Sequence, residues 1–328
     1  MQIHGILINA DGDHLGGRLA NLEGCLDLFR RAGYDGVELS APGLDVISGG
    51  RLRRAQVDRV RALLELYPFA YTVHGADQMN FAFPGTTIDG TDSSMDRDVF
   101  IACLDFCAAI GARVMVYHSG LMSLYPVATG LGTLPGEEEL ERAREREVAA
   151  LRELAPLAAE RGVVIGMENR DPHPWEIAVL RHFNLPPEEL PTYHPGMMIP
   201  DLVAQVTAVD HPNLGLTLDL GHLYLAAVQC GFDFLEAVRQ AAPHVRHLHA
   251  SDNWGRLGGP FDSLNHRIPH GEGDVHMPPG WGGIPHAEAL RQMPDYLGYY
   301  LVEIRPRFYE HAAEALNTAR RLIAGASF

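Results

Sequence analysis

Eight short apolar runs alternate with amphipathic segments along most of this 328-residue chain. The runs are rich in branched and aromatic residues, which is typical of buried strands, whereas the segments between them place apolar residues at helical spacing. Two such helical segments, Leu22–Tyr34 and Glu145–Gly162, contain a glycine where the helix is expected to end. The predicted strands are Ile3–Ile8, Gly36–Leu39, Ala70–Val73, Arg113–Tyr117, Val163–Met167, Gly215–Leu218, Val245–Leu248 and Tyr299–Val302.

This repeat predicts an α/β fold of the (β/α)8 TIM barrel type. An open, doubly wound sheet is the alternative, but such sheets usually begin with a glycine-rich phosphate loop that ILINADGDHLGG fits poorly. No linker or domain boundary is visible, so we expect a single domain over residues 1–328. The extra length falls at about residues 121–139, 171–200 and 253–285, which a barrel places as long loops on its C-terminal, catalytic face.

The charge of the chain excludes several classes of chemistry. The formal net charge is −16, and the sequence contains no lysine, so all 26 basic residues are arginine. Without lysine there is no Schiff base, no pyridoxal-phosphate anchor and no P-loop lysine. The negative charge also disfavours nucleic acid as a partner, because such binding depends on basic side chains that displace counterions.

The sequence also predicts where the protein is found. No long apolar run predicts a membrane span, and the N-terminus resembles a first strand more than a signal peptide. The four cysteines are scattered and form no CxxC pair, which favours a reduced protein of the cytoplasm. The long loops leave a homo-oligomer open.

Four acidic or imidazole side chains follow the last four predicted strands. Three carboxylates and one imidazole at the mouth of a barrel form a candidate site for a divalent ion, and this donor set suits Mn²⁺, Mg²⁺, Co²⁺ or Zn²⁺. The alternative is that the carboxylates cap helices or pair with Arg170 and Arg305. The four predicted ligands are Glu168, Asp219, His249 and Glu303.

Three further histidines are expected at the same mouth. His74 and His118 end two consecutive strands, where they form either a second metal site or a polar wall for the substrate. His222 follows Asp219 by three residues, so a helical turn at this point would place both side chains on one face. His4 and His194 have no supporting pattern and are predicted to be structural.

The motifs VHG, YHSG, ENR, DLGH, HASD and VEIR, in this order on successive strands, resemble the xylose isomerase-like barrel superfamily. That group includes ketose epimerases, hydroxypyruvate-type isomerases, inosose dehydratases and endonuclease IV-like enzymes. The motifs run from His74 to Glu303, so the resemblance covers nearly the whole chain. In the sugar branch it implies a single metal ion held by the four predicted ligands, with His222 and Arg256 in contact with the substrate.

The endonuclease branch implies a second and a third metal site. His74 and His118 would join Glu168 around the second ion. The third ion would need His222 and an Asp-x-His just before a Gly-Glu-Gly stretch. That place is taken by Asn265-His266-Arg267, ahead of Gly271-Glu272-Gly273, so we expect no third site. We expect the loop from His270 to His276 to cover the site, with His270 and Glu272 near the substrate.

The function predicted from these residues is a metal-dependent isomerase or epimerase of a sugar or keto-polyol. Glu168 and Glu303 are the predicted acid/base pair, which would transfer a proton through an enediolate. Three alternatives stay open: an endonuclease IV-like phosphoesterase, a keto-polyol dehydratase on the same scaffold, and a barrel that binds a partner without catalysis.

Overall fold

Eight parallel strands close into a barrel, as the sequence predicts. The structure is a computed structural model that describes residues 1–83, 94–259 and 263–326. Each strand pairs with its neighbours in the chain, and the first pairs with the last. The strands are β1 Gln2–Ala10, β2 Gly36–Ser40, β3 Ala70–His74, β4 Val114–His118, β5 Val164–Glu168, β6 Leu214–Asp219, β7 Val245–Ala250 and β8 Leu297–Val302.

Helices connect the strands and cover the outside of the barrel. The α-helices are α1 Gly12–Leu15, α2 Leu19–Ala32, α3 Arg54–Leu64, α4 Ser94–Ile110, α5 Tyr125–Ala128, α6 Glu137–Glu160, α7 Pro174–His182, α8 Leu190–Tyr193, α9 Ile199–Val209, α10 Leu220–Cys230, α11 Phe234–Ala241, α12 Leu264–Arg267, α13 His286–Arg291 and α14 Ala312–Ala326. Short 3₁₀ helices span Pro42–Leu44, Pro187–Glu189, Pro195–Met197, Ala242–His244, Ile268–His270 and Pro306–His311. Ile47–Ser48 and Arg51–Leu52 form a small hairpin.

The three long segments after strands contain short helices. Helix α5 lies in the first, α7 and α8 lie in the second, and α12 lies in the third. Residues 260–262 of the third segment lie outside the described residues. The assignment of residues 1–328 to one domain stays a prediction. None of the helices in the described ranges combines the length and apolar character that crossing a membrane requires.

The register of the strands brings the predicted site residues to one rim. His118 lies opposite Glu168, and Asp219 lies opposite His249. The backbone N–H of Glu303 donates to the carbonyl of Ala250 at 3.0 Å, which extends the pairing between β7 and β8 by one step. Because all the strands run parallel, their C-terminal ends form a common mouth, and side chains from consecutive strands can meet there.

Close contact between β2 and β3 requires glycine at residue 36. A Cβ atom added to Gly36 would lie 2.3 Å from the backbone carbonyl oxygen of Ala70. We expect Gly36→Ala to lower the free energy of unfolding by about 1–3 kcal/mol, because the strands must move apart. Denaturant unfolding measures the change.

Gly24 provides the matched control on helix α2. A Cβ atom added there meets nothing within 4 Å. Gly24→Ala should therefore raise the free energy of unfolding by about 0.5–1 kcal/mol, through the loss of backbone freedom in the unfolded chain. Equal effects of the two substitutions would contradict the role of close strand approach.

Candidate metal centre

The four predicted ligands converge at the mouth of the barrel. One candidate donor atom from each of Glu168, Asp219, His249 and Glu303 lies within 4.8 Å of the others. Nδ1 of His249 lies 3.0 Å from Oε1 of Glu168, 3.0 Å from Oε2 of Glu303 and 4.0 Å from Oδ2 of Asp219. The imidazole therefore stands between the two glutamates.

The donor atoms of this cluster suit a cation. Three of them are buried and have no hydrogen-bond partner in the structure: Oδ2 of Asp219, Nδ1 of His249 and Oε2 of Glu303. Buried polar atoms are costly when they are left unpaired. A divalent ion would satisfy all three, so the residues fit the metal that the sequence predicts.

The titration of the cluster reflects its crowded negative charge. Burial raises the pKa of Asp219 to about 7, with His222 opposing and the Glu303 and Glu168 carboxylates reinforcing the shift. Burial alone would lower the pKa of His249, but the surrounding carboxylates, Glu168 first among them, raise it well above its usual value. A proton on the imidazole thus partly replaces the charge that a metal ion would supply.

Asn169 and helix α10 fix the geometry of Asp219. The Asn169 side chain accepts from the backbone N–H of Asp219 at 2.9 Å and donates to its carbonyl at 3.0 Å, which ties β5 to β6. Oδ1 of Asp219 caps α10 by accepting from the N–H of His222 at 2.6 Å. The predicted helical turn is confirmed. Because the cap uses Oδ1, the other oxygen of Asp219, Oδ2, faces the remaining ligands.

His74 and His118 form a second set with Glu168. Nε2 of His118 lies 3.0 Å and Nε2 of His74 lies 3.5 Å from Oε2 of Glu168, the oxygen that does not face His249. Burial lowers the pKa of His118, which favours the neutral imidazole that a metal ligand requires. Glu168 thus contributes one oxygen to each of two candidate sites.

A third set of possible metal ligands lies at the mouth, in a place that the sequence motif did not predict, and the absence of a third bound ion stays a prediction. His222, Asp274 and His276 offer three donor atoms within 4.8 Å of one another. Oδ2 of Asp274 lies 3.8 Å from Nε2 of His222 and 2.5 Å from Nε2 of His276. The Asp-x-His sequence is present, but it follows the Gly-Glu-Gly stretch and does not precede it. Asn265 and Arg267 instead bond to Arg307 and to the Glu272 carbonyl.

A cavity of about 580 Å³ opens above the four ligands. Its volume is typical of a site for a small molecule. His74, His118 and His222 line it, as predicted, together with Asp274 and His276. The two arginines in the wall do not pair with the four ligands: Arg170 donates to the Ser119 carbonyl at 2.5 Å, and Arg305 pairs with Asp274 at 3.5 Å.

The structure does not bring Arg256 or the His270–Glu272 segment into this cavity. Arg256 is exposed and donates to the His270 carbonyl at 3.2 Å. His270 is exposed, and Glu272 accepts from the N–H of Gly259 at 3.2 Å. The substrate contact carried over to Arg256 therefore has no support from the geometry. His194 is fully buried against Glu176, in keeping with a structural role.

Comparison with protein families identifies this arrangement. A family model described as "Xylose isomerase-like TIM barrel" matches residues 26–323. The chain belongs to the xylose isomerase-like TIM barrel family. An uncharacterised protein of Methanocaldococcus jannaschii, MJ1311, is 24% identical over 157 residues, or 47% of this chain. The match covers only 40% of that relative's length.

Solved structures share the fold over almost their full length. A D-tagatose 3-epimerase-like protein has a TM-score of 0.66 at 16% identity, with 98% of each chain covered. D-psicose 3-epimerase from Clostridium cellulolyticum H10, solved with D-tagatose, has a TM-score of 0.61 at 17% identity, with 97% of this chain and 99% of that chain covered. The IolI protein, solved with a bound zinc atom, has a TM-score of 0.62 at 19% identity and 98% coverage of each chain. At these identities the likeness establishes the shared fold.

Glu38 and His247 lie beneath the four predicted ligands, and the sequence analysis did not identify them as site residues. Nε2 of His249 lies 3.2 Å from Oε1 of Glu38, and Nε2 of His247 lies 3.0 Å from Oε2 of Glu38. The available signal was a single acidic residue inside the apolar strand GVELS. Asp274 and His276 carried the signal of an Asp-x-His motif in the right order but on the other side of the glycines.

Removing the charge of one predicted ligand should have different effects on the stability of the metal-free protein and on its affinity for metal. We expect metal-free Asp219→Asn to be at least as stable as the metal-free wild type, because it loses a crowded carboxylate and keeps the cap of α10. A metal ion at about 100 times its Kd should stabilise the wild type by about 2.7 kcal/mol. The variant should lose most of that gain, as measured by thermal unfolding of chelator-treated protein with and without Mn²⁺ or Zn²⁺.

Asp233→Asn is the matched control, because Asp233 caps α11 through Oδ1 and the N–H of Glu236 at 2.9 Å, away from the centre. It should keep the full response to metal. An unchanged metal response in Asp219→Asn would remove Asp219 from the ligand set.

Proposed function

We propose that this protein is a divalent-metal-dependent isomerase or epimerase of a sugar or keto-polyol. Glu168 and Glu303 would transfer the proton, and Asp219 and His249 would complete the metal site. One observation carries the proposal: the two glutamates approach the same nitrogen of His249, each at 3.0 Å. An ion at that point would have a carboxylate from β5 on one side and a carboxylate from the end of β8 on the other.

A divalent ion in this centre would act as a Lewis acid towards the substrate's carbonyl and neighbouring hydroxyl oxygens. The metal stays unspecified, since carboxylate and imidazole donors suit Mn²⁺, Mg²⁺, Co²⁺ and Zn²⁺. The bound zinc atom of the IolI structure shows one metal in a protein of this fold.

Histidines around the two glutamates keep both carboxylates ionised at neutral pH. Burial would raise the pKa of Glu168, but His249 and His118 hold it well below its usual value. Burial would likewise raise the pKa of Glu303, but His276 and His249 lower it to about 2. Both side chains are therefore ionised, as a general base must be. One would remove the proton beside the carbonyl group and so become protonated. Epimerisation would also need a proton on the other glutamate, taken up from solvent before the reaction, because only a protonated carboxyl group can protonate the opposite face of the enediolate.

The charge of the cavity wall favours an uncharged polyol over a sugar phosphate. The wall contains two arginines, and both donate to groups of the protein. Acidic residues outnumber the arginines in this wall, so a phosphate group would meet repulsion from them. The epimerases of tagatose and psicose among the similar structures support the same substrate class. The acidic residues of the wall are Asp11, Asp13, Glu38, Asp45, Asp77, Asp171, Asp274 and Glu303.

Hydrolysis of a phosphoester is the second candidate, and the third ligand set favours it. Three sets of donors at one mouth are what a reaction on a phosphodiester with several metal ions requires. The acidic wall disfavours it, since it repels a polyanionic substrate. A dehydratase would share the proton-abstraction step with the isomerase and would use the same two glutamates.

Four unpaired cysteines, three of them buried, support a reducing location such as the cytoplasm as part of this proposal. Their burial also keeps the thiols away from the cavity. A homo-oligomer stays a prediction.

Exchange of the substrate's α-proton with solvent tests the proposal. With a panel of keto-sugars in D₂O, the metal-loaded wild type should incorporate deuterium beside the carbonyl group. Glu168→Gln and Glu303→Gln should each slow this exchange by roughly 10²–10⁴-fold, the usual contribution of a general acid or base. Mass spectrometry or proton NMR follows the exchange, and metal content is measured in every sample so that loss of the ion is recognised.

Glu147→Gln is the control for loss of a buried carboxylate. Glu147 lies on α6, is fully buried, and accepts from Tyr117 at 2.8 Å and from Ser119 at 3.2 Å, outside the cavity wall. The Glu147→Gln variant should catalyse exchange of the substrate's α-proton at the wild-type rate. Retained exchange in both Glu168→Gln and Glu303→Gln would overturn the proposed proton-transfer pair.

The number of bound ions separates the two candidate functions. We expect elemental analysis to find one tightly bound divalent ion per chain, retained in His118→Asn and lost in Asp219→Asn. The phosphoesterase candidate instead requires two or three ions and hydrolysis of bis(p-nitrophenyl) phosphate that disappears in His118→Asn and His276→Asn. Such hydrolysis would favour the phosphoesterase over the isomerase if none of the keto-sugars also showed exchange of its α-proton.

A further inference from the structure

We propose that Glu38 is the positioning residue that presents Nδ1 of His249 to the metal ion. This inference rests on the proposed function, because it takes His249 as a metal ligand. Glu38 lies on β2, whereas His249 lies on β7. Their side chains meet inside the barrel, directly beneath the four ligands.

Glu38 is held in place by neighbours that use one of its oxygens. Its side chain is buried, and Oε2 accepts from the Thr72 hydroxyl at 2.8 Å and from Nε2 of His247 at 3.0 Å. The other oxygen, Oε1, lies 3.2 Å from Nε2 of His249. The carboxylate therefore has one oxygen anchored to the barrel wall and one directed at the imidazole.

The two nitrogens of His249 face different layers of carboxylate. Nε2 faces Glu38, while Nδ1 faces Glu168 and Glu303 at 3.0 Å each. An imidazole nitrogen that faces an anchored carboxylate carries the proton, so the lone pair of the neutral ring lies on the opposite nitrogen. Histidines that bind metals commonly donate their second N–H to a carboxylate in this way. Glu38 thereby fixes both the tautomer and the orientation of the ring.

Glu38, His247 and His249 also lie close enough to hold an ion themselves. Two facts favour the positioning role. Oε2 of Glu38 already accepts two hydrogen bonds, and the free side of His249 belongs to the centre above.

Replacement of Glu38 by glutamine should reverse this arrangement. The amide oxygen would stay with Thr72 and His247, which both donate, and the amide nitrogen would face Nε2 of His249. A donor in that place opposes the Nε2–H tautomer and favours Nδ1–H, which cannot bind a metal ion. We expect the Kd for Zn²⁺ to rise roughly 10- to 100-fold in Glu38→Gln, the usual effect of losing such a partner.

The experiment combines zinc affinity with nitrogen NMR of the zinc-loaded protein. Competition with a fluorescent chelator gives the Kd, and ¹⁵N shifts of histidine rings show which nitrogen is metal-bound and which is protonated. In the wild type, His249 should show a zinc-bound Nδ1 and a protonated Nε2. Thr72→Val removes a hydrogen bond from the same carboxylate without facing His249, so it should keep both signals and change the Kd much less than Glu38→Gln does.

Two results would overturn the inference and leave the proposed centre intact. One is a zinc-bound Nε2, or an unprotonated Nε2, in loaded wild type; the other is an equal Kd in Glu38→Gln and Thr72→Val. Absence of any zinc-induced shift on either His249 nitrogen would reject His249 as a ligand, and the inference would fall with that part of the proposed function. The wild-type spectrum decides the matter even if Glu38→Gln does not fold.

Discussion

The imidazole of His249 lies between two layers of buried carboxylate, and the arrangement of the barrel mouth depends on it. Glu168 and Glu303 approach it from above at 3.0 Å, and Glu38 approaches from below at 3.2 Å. Charges this close repel strongly at low dielectric, so they are stable together only with positive charge among them. In the proposed centre, a metal ion at Nδ1 would supply that charge from the mouth, and the N–H of Nε2 would face Glu38 from below.

Glu168 links this centre to the rest of the mouth. Its two oxygens face different groups, His249 on one side and His118 with His74 on the other. Any change in the charge of one group therefore alters the affinity of the other for protons or metal ions. This coupling explains why Glu168 has its pKa lowered despite full burial. It also means that the two histidines would influence the proposed proton transfer through the charge of Glu168.

The strands could be predicted from sequence because a parallel barrel buries them on both faces. Each apolar run matches an observed strand to within about two residues, and the strand-end residues follow from it. The position of Asp274 could not be predicted in this way. Its segment returns to the mouth through isolated bridges between Asp252 and Met277 and between Arg256 and Glu272, and such loop contacts leave no periodic pattern. Glu38 was missed for another reason: it lies within β2, whereas the predicted site residues lie at the ends of their strands.

The third ligand set is the point at which the two candidate functions differ, and Arg305 favours the isomerase. Nη2 of Arg305 lies 3.5 Å from Oδ2 of Asp274, the same oxygen that faces His222 and His276. A guanidinium keeps its charge at any physiological pH, so it neutralises this carboxylate permanently and competes with a cation for it. Asp274 then serves better as an ion-paired link between two histidines of the cavity wall than as a ligand of a third ion. With that role, the mouth contains one centre rich in carboxylate, at Glu168, Asp219 and Glu303, and a polar wall that would suit the hydroxyl groups of a sugar.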